Sequence, residues 1–289
     1  MNKRHFLYPI LLLAYSAACF SAEVAAPVGM RANQNTYSPL LDIMQASRNV
    51  EVTDQQLEEL RGLQMEAIWD SLAEYQGNYA LGFKATQPGK KLVGRALTMR
   101  FYPPRPDLRE ALDALAAEGD WDRLFYGRAA DEGKPGDVVV ADVGGTNGDQ
   151  LFGGLAGLAM KVAGIEGAII EGGSRDLLEL ENESFAEFPV FTRFFDIDTS
   201  KWLGAEWNVP IRVGNVTVFP GDIVIADHSG VIFIPPQIVA GVLQRAQEKA
   251  ALEDYQRELL QGRQHRFREI YPHLSPELQK ARETGEKQS

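Results

Sequence analysis

One stretch of the chain, residues 154–179, constrains its fold more than any other. It reads GLAGLAMKVAGIEGAIIEGGSRDLLE and combines a small-residue helix, a buried strand, a Gly-Gly-Ser turn and an Arg-Asp pair. Arg175 can form two parallel hydrogen bonds to a substrate carboxylate. Asp176 can bind a hard divalent cation through oxygen. The pattern therefore predicts a site at the carboxyl end of a buried strand.

The residues just before this stretch extend the predicted site. Residues 153–156 (Gly-Gly-Leu-Ala) would open the helix that leads into the strand before Arg175. The first N–H groups of a helix have no partner within the helix, and they carry a partial positive charge. We expect these N–H groups to face the same pocket as Arg175.

Helical and strand patterns alternate along the chain, which predicts an α/β layered domain with a sheet at its centre. Two Pro-Gly-Asp turns, at 135–137 and 220–222, precede VVVADV and IVIADHSGVIFIP. Each apolar run predicts one strand buried on both faces. The remaining elements are predicted as helices at about 54–75, 106–117, 150–163 and 238–262, and strands at 91–101, 167–171 and 189–191.

The chain has 289 residues, 45% of them hydrophobic, so it can bury a full core. We divide it into an export signal (1–22), an N-terminal arm (23–50), an α/β domain (51–236) and a charged helical C-terminal extension (237–289). The extension is expected to pack on the domain or on a neighbouring subunit.

The first 22 residues have the pattern of an export signal: a basic start at Lys3 and Arg4, an apolar run, and small residues up to Ala22. The only cysteine, Cys19, follows Ser-Ala-Ala, which resembles a lipoprotein cleavage box without its usual leucine. We expect a periplasmic protein that is either lipid-anchored at Cys19 or cleaved near Ala22. The domain itself has no thiolate for a disulfide or a metal.

The net charge of the chain limits the classes of molecule that we expect it to bind. The net charge is −11, and removing Lys3 and Arg4 with the signal leaves about −13. No basic stripe with interleaved aromatic residues is present, so the sequence gives no reason to expect nucleic-acid binding. An acidic surface opposes anionic ligands at long range, although a local arginine site can override it.

Other sequence features give weaker evidence for a functional site. The segment 143–148 (VGGTNG) lies between a strand and a helix, and it is interpreted as a tight turn, with an anion cradle as the alternative. His228 lies in a predicted turn and is interpreted as structural, and the other histidines are dispersed. A metal is therefore expected on oxygen ligands.

The segment GLAGLAMKVAGIEGAIIEGGSRD, with KLVGRALTMRFYPPRPDL upstream and PGDIVIADHSGVIFIP downstream, resembles the RraA-like family over roughly residues 50–262. This family includes the class II 4-hydroxy-4-methyl-2-oxoglutarate aldolases and the regulators of ribonuclease activity. Its motif is matched at Gly154, Arg175, Asp176 and Glu179.

The resemblance implies a swivelling β/β/α domain that assembles as a homotrimer or a trimer-based hexamer. It also implies cleavage of a 4-hydroxy-2-oxo diacid to pyruvate and decarboxylation of oxaloacetate. Asp176 would ligate Mg²⁺ or Mn²⁺, and Arg175 with the backbone of Gly153, Gly154, Leu155 and Ala156 would bind the 2-oxo acid. Glu179 would support the metal site from behind, or complement a helix N-terminus.

The chain departs from the family at one position. The characterised aldolases of this group carry a carboxylate where this chain has Gly154, and that acid helps to position water and metal. Two functions follow: a metal-dependent lyase for small 2-oxo acids, or a non-catalytic oligomeric protein that binds an oxo acid without consuming it.

Overall fold

The computed structural model describes residues 37–285. The predicted export signal (1–22), Cys19 and the first part of the predicted arm lie outside the described residues and stay predictions. The chain divides into two compact units, residues 1–42 and 43–289. The described part of the first unit holds the start of helix α1, whereas the sheet, the core and the candidate site belong to the second unit.

The helices and strands follow one another along the chain in mixed order. The helices are α1 (Ser38–Arg48), α2 (Asp54–Gly62), α3 (Met65–Asp70), α4 (Pro106–Ala117), α5 (Phe125–Glu132), α6 (Gly154–Val162), α7 (Leu177–Leu180), α8 (Val239–Gly262), α9 (Phe267–Ile270) and α10 (Pro276–Thr284). The strands are β1 (Tyr79–Ala80), β2 (Lys84–Ala85), β3 (Leu92–Tyr102), β4 (Asp137–Asp142), β5 (Gly167–Ser174), β6 (Val190–Phe195), β7 (Leu203–Trp207), β8 (Ile211–Val213), β9 (Val216–Val218), β10 (Ile223–Asp227) and β11 (Gly230–Ile234). Within residues 37–285, no helix combines the length and apolar character that crossing a membrane requires.

One sheet organises the domain, in the order β1-β11-β10-β3-β4-β5-β6-β2. Strands β3, β4, β5 and β6 run parallel, and the flanking strands are antiparallel. The long strand β3 pairs with β10 through its first half and with β7 through its last residues. The carboxyl ends of four parallel strands therefore meet at one edge, where α/β proteins place their ligands.

The core forms three layers, because successive side chains of each strand point to opposite faces. On one face of the sheet, Val138 and Val140 pack with the β8–β9 hairpin. On the other face, Val139 and Ala141 pack under α5 and α6, and the β10–β11 part of the sheet packs under α2, α3 and α8. Hairpin, sheet and helices give a β/β/α order, which confirms the predicted mixed α/β class.

The predicted helix over 54–75 is wrong in one respect, because it breaks after Gly62. Leu63 is extended, and a second helix starts at Met65. The side chain of Lys91 donates to the backbone oxygens of Leu60 and Leu63, and Arg61 donates to the backbone oxygens of Lys91 and Val93. These contacts satisfy the carbonyls at the end of α2 and let both short helices bury apolar residues against the sheet.

The second Pro-Gly-Asp run is not one strand but two. Strands β10 and β11 pair antiparallel around a turn, where Ser229 N–H donates to the Asp227 carboxylate at 2.7 Å. The apolar run was continuous on both sides of Asp-His-Ser-Gly, so the pattern hid the reversal. The predicted turn position of His228 is confirmed.

The remaining elements agree with the sequence predictions. Helix α4 spans the predicted 106–117 and strand β3 the predicted 91–101, each to within one residue. The predicted strands at 167–171 and 189–191 extend to Ser174 and Phe195. The C-terminal part is helical as predicted, and Val242, Leu243 and Ala246 of α8 are buried in the core.

The aspartate of the second Pro-Gly-Asp turn is buried with an unsatisfied oxygen. Asp222 is 3% exposed; its Oδ2 accepts from Phe219 N–H at 2.8 Å, and its Oδ1 has no partner among the described residues. Burial raises the pKa of Asp222 to about 7, against an ordinary value of 3.8. The folded state therefore holds a proton between these pH values that the unfolded state releases, so this carboxyl lowers stability as pH rises through that range.

We expect Asp222→Asn to be more stable than the wild type at pH 8, because the amide keeps the acceptor for Phe219 N–H without a buried charge. The gain in the free energy of unfolding should rise by on the order of 1–3 kcal/mol between pH 5 and pH 8. Urea denaturation at pH 5, 6.5 and 8 measures it. Asp120→Asn, at an exposed turn, is the matched control. Parallel pH profiles for Asp222→Asn and the wild type would contradict the assignment.

Candidate active site

A short backbone pairing brings the predicted site together. Gly173 N–H donates to Asp149 O at 2.9 Å, Leu151 N–H to Gly173 O at 3.0 Å, and Arg175 N–H to Phe152 O at 3.1 Å. Residues 150–153 are therefore extended, and the predicted helix over 150–163 begins only at Gly154. The pairing places the first turn of α6 directly beside Arg175 and Asp176.

The backbone at the end of β5 turns sharply to present these two side chains. Asp176 adopts a left-handed conformation with φ of 56°, which asparagine and aspartate tolerate better than most residues. Its Oδ2 accepts from Gly154 N–H at 3.1 Å and its Oδ1 accepts from Arg175 Nε at 3.2 Å. The Asp176 carboxylate thus caps α6, where the helix dipole favours negative charge.

A second carboxylate covers the same helix terminus. A Cβ added to Gly153 would overlap the carboxylate of Asp176, and a Cβ added to Gly154 would overlap the carboxylate of Glu179. The two glycines are needed because two acids lie directly against their Cα atoms. Glu179 occupies the space in which a side chain at position 154 would begin.

A cavity of about 560 Å³ opens beside this cluster, within the usual range for small-molecule sites. Arg175 and Asp176 line it together with Gly153, Leu155 and Ala156 of the predicted binding segment. Gly154 does not line this cavity. A second depression of about 620 Å³ shares Arg175 and Asp176 and is also lined by Glu179, Asp196 and Ile197.

The loop 196–202 forms the rim of the cavity, and hydrogen bonds with residues 149 and 150 hold its backbone in place. Asp149 accepts hydrogen bonds from the backbone N–H groups of Lys201 and Trp202, and Gln150 Nε2 donates to Asp198 O at 2.8 Å. The hydrogen bond from Lys201 holds the pKa of Asp198 below its ordinary value, and Arg175 adds a smaller effect of the same sign.

The VGGTNG segment forms a tight turn, as predicted. Gly144 and Gly145 have φ of 86° and 72°, and residues 145–147 form one short 3₁₀ turn. The Trp202 ring lies against Gly144, where a Cβ would overlap it. The turn therefore supports the rim.

The donor set suits a hard divalent cation in an open site. Each Asp176 oxygen accepts one hydrogen bond and keeps a second lone pair, and its side chain is 37% exposed. Within residues 37–285, no group of three histidine, cysteine or acidic side chains converges on a metal position. Mg²⁺ commonly binds through one or two carboxylates, with water and substrate oxygens as its other ligands. Asp176 fits that pattern.

The structure brings together every residue that the sequence singled out for this site. Gly153, Leu155, Ala156, Arg175 and Asp176 line the cavity, and their roles in binding and chemistry stay predictions. Sequence reasoning missed the cavity wall formed by Arg109, Arg123, Tyr126 and Trp202, which come from distant segments. The two arginines of segment 121–128, for which no element was predicted, are the only signal that the sequence offers.

The contact between Gly154 and Glu179 predicts an energetic coupling. Gly154→Ala should force the Glu179 side chain out of its place, at little cost in overall stability because a flexible side-chain end can move. In a Glu179→Ala background the same substitution should be more favourable by about 0.5 kcal/mol, the lower end of couplings between residues in contact, because the overlap is gone. A double-mutant cycle of thermal and urea unfolding measures the coupling. Strict additivity of the two substitutions would refute the close contact.

Comparison with known proteins identifies a family model and several relatives that match this chain. The family model described as RraA-like (Aldolase/RraA) matches residues 65–233. A putative 4-hydroxy-4-methyl-2-oxoglutarate aldolase of Halalkalibacterium halodurans is 36% identical over 131 residues, which cover 45% of this chain and 61% of that protein. The chain thus spans less than two thirds of that relative's length. A 4-hydroxy-4-methyl-2-oxoglutarate aldolase of Thermus thermophilus is 27% identical, over 53% of this chain and 81% of that protein.

Two solved structures have the same fold. An uncharacterized protein from Pseudomonas syringae superposes with a TM-score of 0.61 at 22% identity, over 81% of this chain and 95% of its own. A Streptomyces coelicolor protein, described as an unusual member of the RNase ES inhibitor RraA family, superposes with a TM-score of 0.60 at 23% identity, over 72% of this chain and 99% of its own. At these identities the likeness shows the fold alone.

Proposed function

This chain belongs to the RraA-like family, and from that premise we propose that it is a divalent-metal-dependent lyase. It cleaves 4-hydroxy-4-methyl-2-oxoglutarate, or a related 4-hydroxy-2-oxo acid, to pyruvate, and it also decarboxylates oxaloacetate. The observation that carries the proposal is the cluster of Arg175, Asp176 and Glu179 at the N-terminus of α6, beside a cavity. The aldolase names of two relatives point the same way.

Arg175 binds the 2-oxo acid. Its Nε is held by Asp176, and no hydrogen bond from its terminal amino groups is found within residues 37–285. These groups are therefore free to bind the substrate carboxylate in a fork.

Asp176 would hold the divalent cation, which would stabilise the negative charge that develops on the 2-oxo group. Cleavage breaks the bond between C3 and C4, and the bonding electron pair passes into the enolate of pyruvate. The C4 hydroxyl loses its proton and becomes a carbonyl, and the enolate then takes up a proton at C3. Decarboxylation of oxaloacetate leaves the same enolate with loss of CO₂ and needs no base at a hydroxyl.

Glu179 is the candidate group for the hydroxyl proton. Its carboxylate lies against Gly154. This chain therefore has an acid next to the N-terminus of α6 even though position 154 has no side chain. Glu179 also lines the depression shared with Arg175 and Asp176. We propose that it removes the proton of a substrate hydroxyl directly or through one water. Aldol cleavage therefore depends on Glu179 more than decarboxylation does.

Asp176→Asn should lower metal-dependent pyruvate release about 100-fold or more, because loss of a charge-stabilising ion amounts to several kcal/mol of the barrier. Asparagine tolerates the left-handed backbone, so the fold should survive, and Asp176→Ala is the harsher variant. Pyruvate release from oxaloacetate and from 4-hydroxy-4-methyl-2-oxoglutarate is measured with Mg²⁺, Mn²⁺ and EDTA. Asp227→Asn, in the β10–β11 turn, is the control.

The same assay separates the roles of the two acids. Glu179→Gln should lower aldol cleavage by roughly 10²-fold or more and spare decarboxylation by comparison, because only the aldol step requires removal of a hydroxyl proton. Equal losses on both substrates would exclude Glu179 as the base. Full activity of Asp176→Asn would reject the metal assignment.

The alternative is a non-catalytic oligomeric binding protein, which the missing side chain at Gly154 favours. Such a protein would bind an oxo acid in calorimetry and release no pyruvate above the metal-only blank. A wild type that behaves in this way would move the assignment from lyase to binding or regulation.

We also propose that the protein assembles as a trimer or hexamer through the outer face of α6. Leu155, Leu158 and Val162 follow helical spacing on this face, and Leu155 and Val162 are more than three quarters exposed. Leu178 and Ile197 are as exposed and border the same site. Apolar side chains concentrated in this way indicate an interface, and a second copy is the occupant that the family assignment favours.

Val162→Glu should reduce the assembly to monomers, because a charge would be buried without a partner at the interface. Light scattering after size exclusion measures the mass. Leu115→Glu, at a half-exposed position on α4, controls for a general effect of an added charge. An unchanged mass for Val162→Glu, or a monomeric wild type, would rule out this interface.

A further inference from the structure

Beyond Arg175, the cavity is lined by residues that do not belong to the RraA-like motif. Helix α6 contributes Ala156 and Ala159 to one side, and the start of α5 contributes Tyr126 and Gly127 to the other. Arg123, just before α5, also lines the cavity. A ligand held at Arg175 therefore has room to extend between α5 and α6.

The charges along the cavity are unequal. Three arginines line it, Arg109, Arg123 and Arg175, against a single carboxylate, Asp176. Arg109 is held in place by a hydrogen bond to Lys201 O at 2.6 Å. The lining therefore carries more positive than negative groups even though Arg123 also pairs with Asp113, and in a chain with a net charge of −11 this marks the cavity as a local site for an anion.

Arg123 has a buried hydrogen-bond donor without a partner among the described residues. Its Nη1 pairs with Asp113 at 3.0 Å and its guanidinium lies 5.6 Å from the centre of the Trp121 ring, which fix its position. Its Nε is buried and has no partner among the described residues. A buried guanidinium donor without a partner is costly, and a bound acceptor would remove that cost.

We propose that Arg123 is a specificity residue that binds the second carboxylate of a dicarboxylic 2-oxo acid. The inference rests on the proposed function, in which Arg175 binds the first carboxylate. The cavity wall also contains Leu124, Phe152 and Ala156, which suit the carbon chain between the two acid groups. Arg123, in the segment before α5, then determines the selectivity for diacids. The cluster of Arg175, Asp176 and Glu179 at the N-terminus of α6 carries out the reaction.

Calorimetry with two non-cleavable probes tests the assignment. The diacid 2-oxoglutarate and the monoacid 2-oxobutanoate share the 2-oxo acid group, and neither has a hydroxyl for aldol cleavage. With Mg²⁺ present, the wild type should bind 2-oxoglutarate more tightly. Arg123→Met should weaken 2-oxoglutarate roughly 10- to 100-fold and change 2-oxobutanoate less than about twofold, because only the diacid uses a charge-assisted hydrogen bond at this end.

Two further variants keep the test sharp. Arg123→Lys retains the charge without the fork, so it should lose several-fold in 2-oxoglutarate affinity, and it replaces Arg123→Met if that variant unfolds early in a thermal scan. Arg105→Met is the matched control, since Arg105 is exposed, pairs with Asp107 and does not line the cavity. In turnover, Arg123→Met should raise KM for oxaloacetate about tenfold or more, with kcat within about threefold.

The outcomes separate this inference from the proposed function. Equal weakening of both probes, unchanged affinity for 2-oxoglutarate, or a wild type that binds neither probe or does not prefer the diacid, would overturn the role of Arg123. Selective loss of the diacid in a protein that releases no pyruvate would uphold Arg123 as a diacid-binding residue and reject the lyase.

Discussion

The backbone pairing of residues 149–152 with 173–175 is the constraint on which the site depends. Three hydrogen bonds of 2.9–3.1 Å hold these two segments together, and buried Ser174 adds a fourth from its hydroxyl to Phe152 O. The pairing delays the start of α6 to Gly154 and aims its N-terminus at the end of β5. Because buried backbone groups must be paired, the position of α6 relative to Arg175 is fixed by the backbone rather than by the site side chains.

Two carboxylates at one helix terminus give the site its electrostatic character. Asp176 and Glu179 lie against Gly153 and Gly154, close enough that neither position has space for a side chain. The helix N-terminus and Arg175 offset the repulsion between the two acids. The second carboxylate at the N-terminus of α6 therefore comes from Glu179, and the absence of a side chain at Gly154 leaves space for it.

The sequence predicted most elements correctly because their signals are local. Helix α4 begins at a proline and ends before a glycine with φ of 93°, and the strands at 137 and 223 follow the same Pro-Gly-Asp turn. The errors arose where local signals were ambiguous. The helix over 54–75 breaks because Lys91, 28 residues away from Leu63, bonds to its carbonyls, and the run after Asp222 reverses because both halves of a hairpin are equally apolar.

The sequence by itself determined the fold class, the family motif and the pair Arg175-Asp176, because periodicity, turn residues and adjacent motif residues are properties of short segments. Only the tertiary structure decided that Glu179 fills the space at Gly154 and that Arg123 shares a cavity with Arg175. These relations join segments separated by 25 and 52 positions in the chain. Their distance in space depends on how α5 and α6 pack on the sheet, which no local pattern encodes.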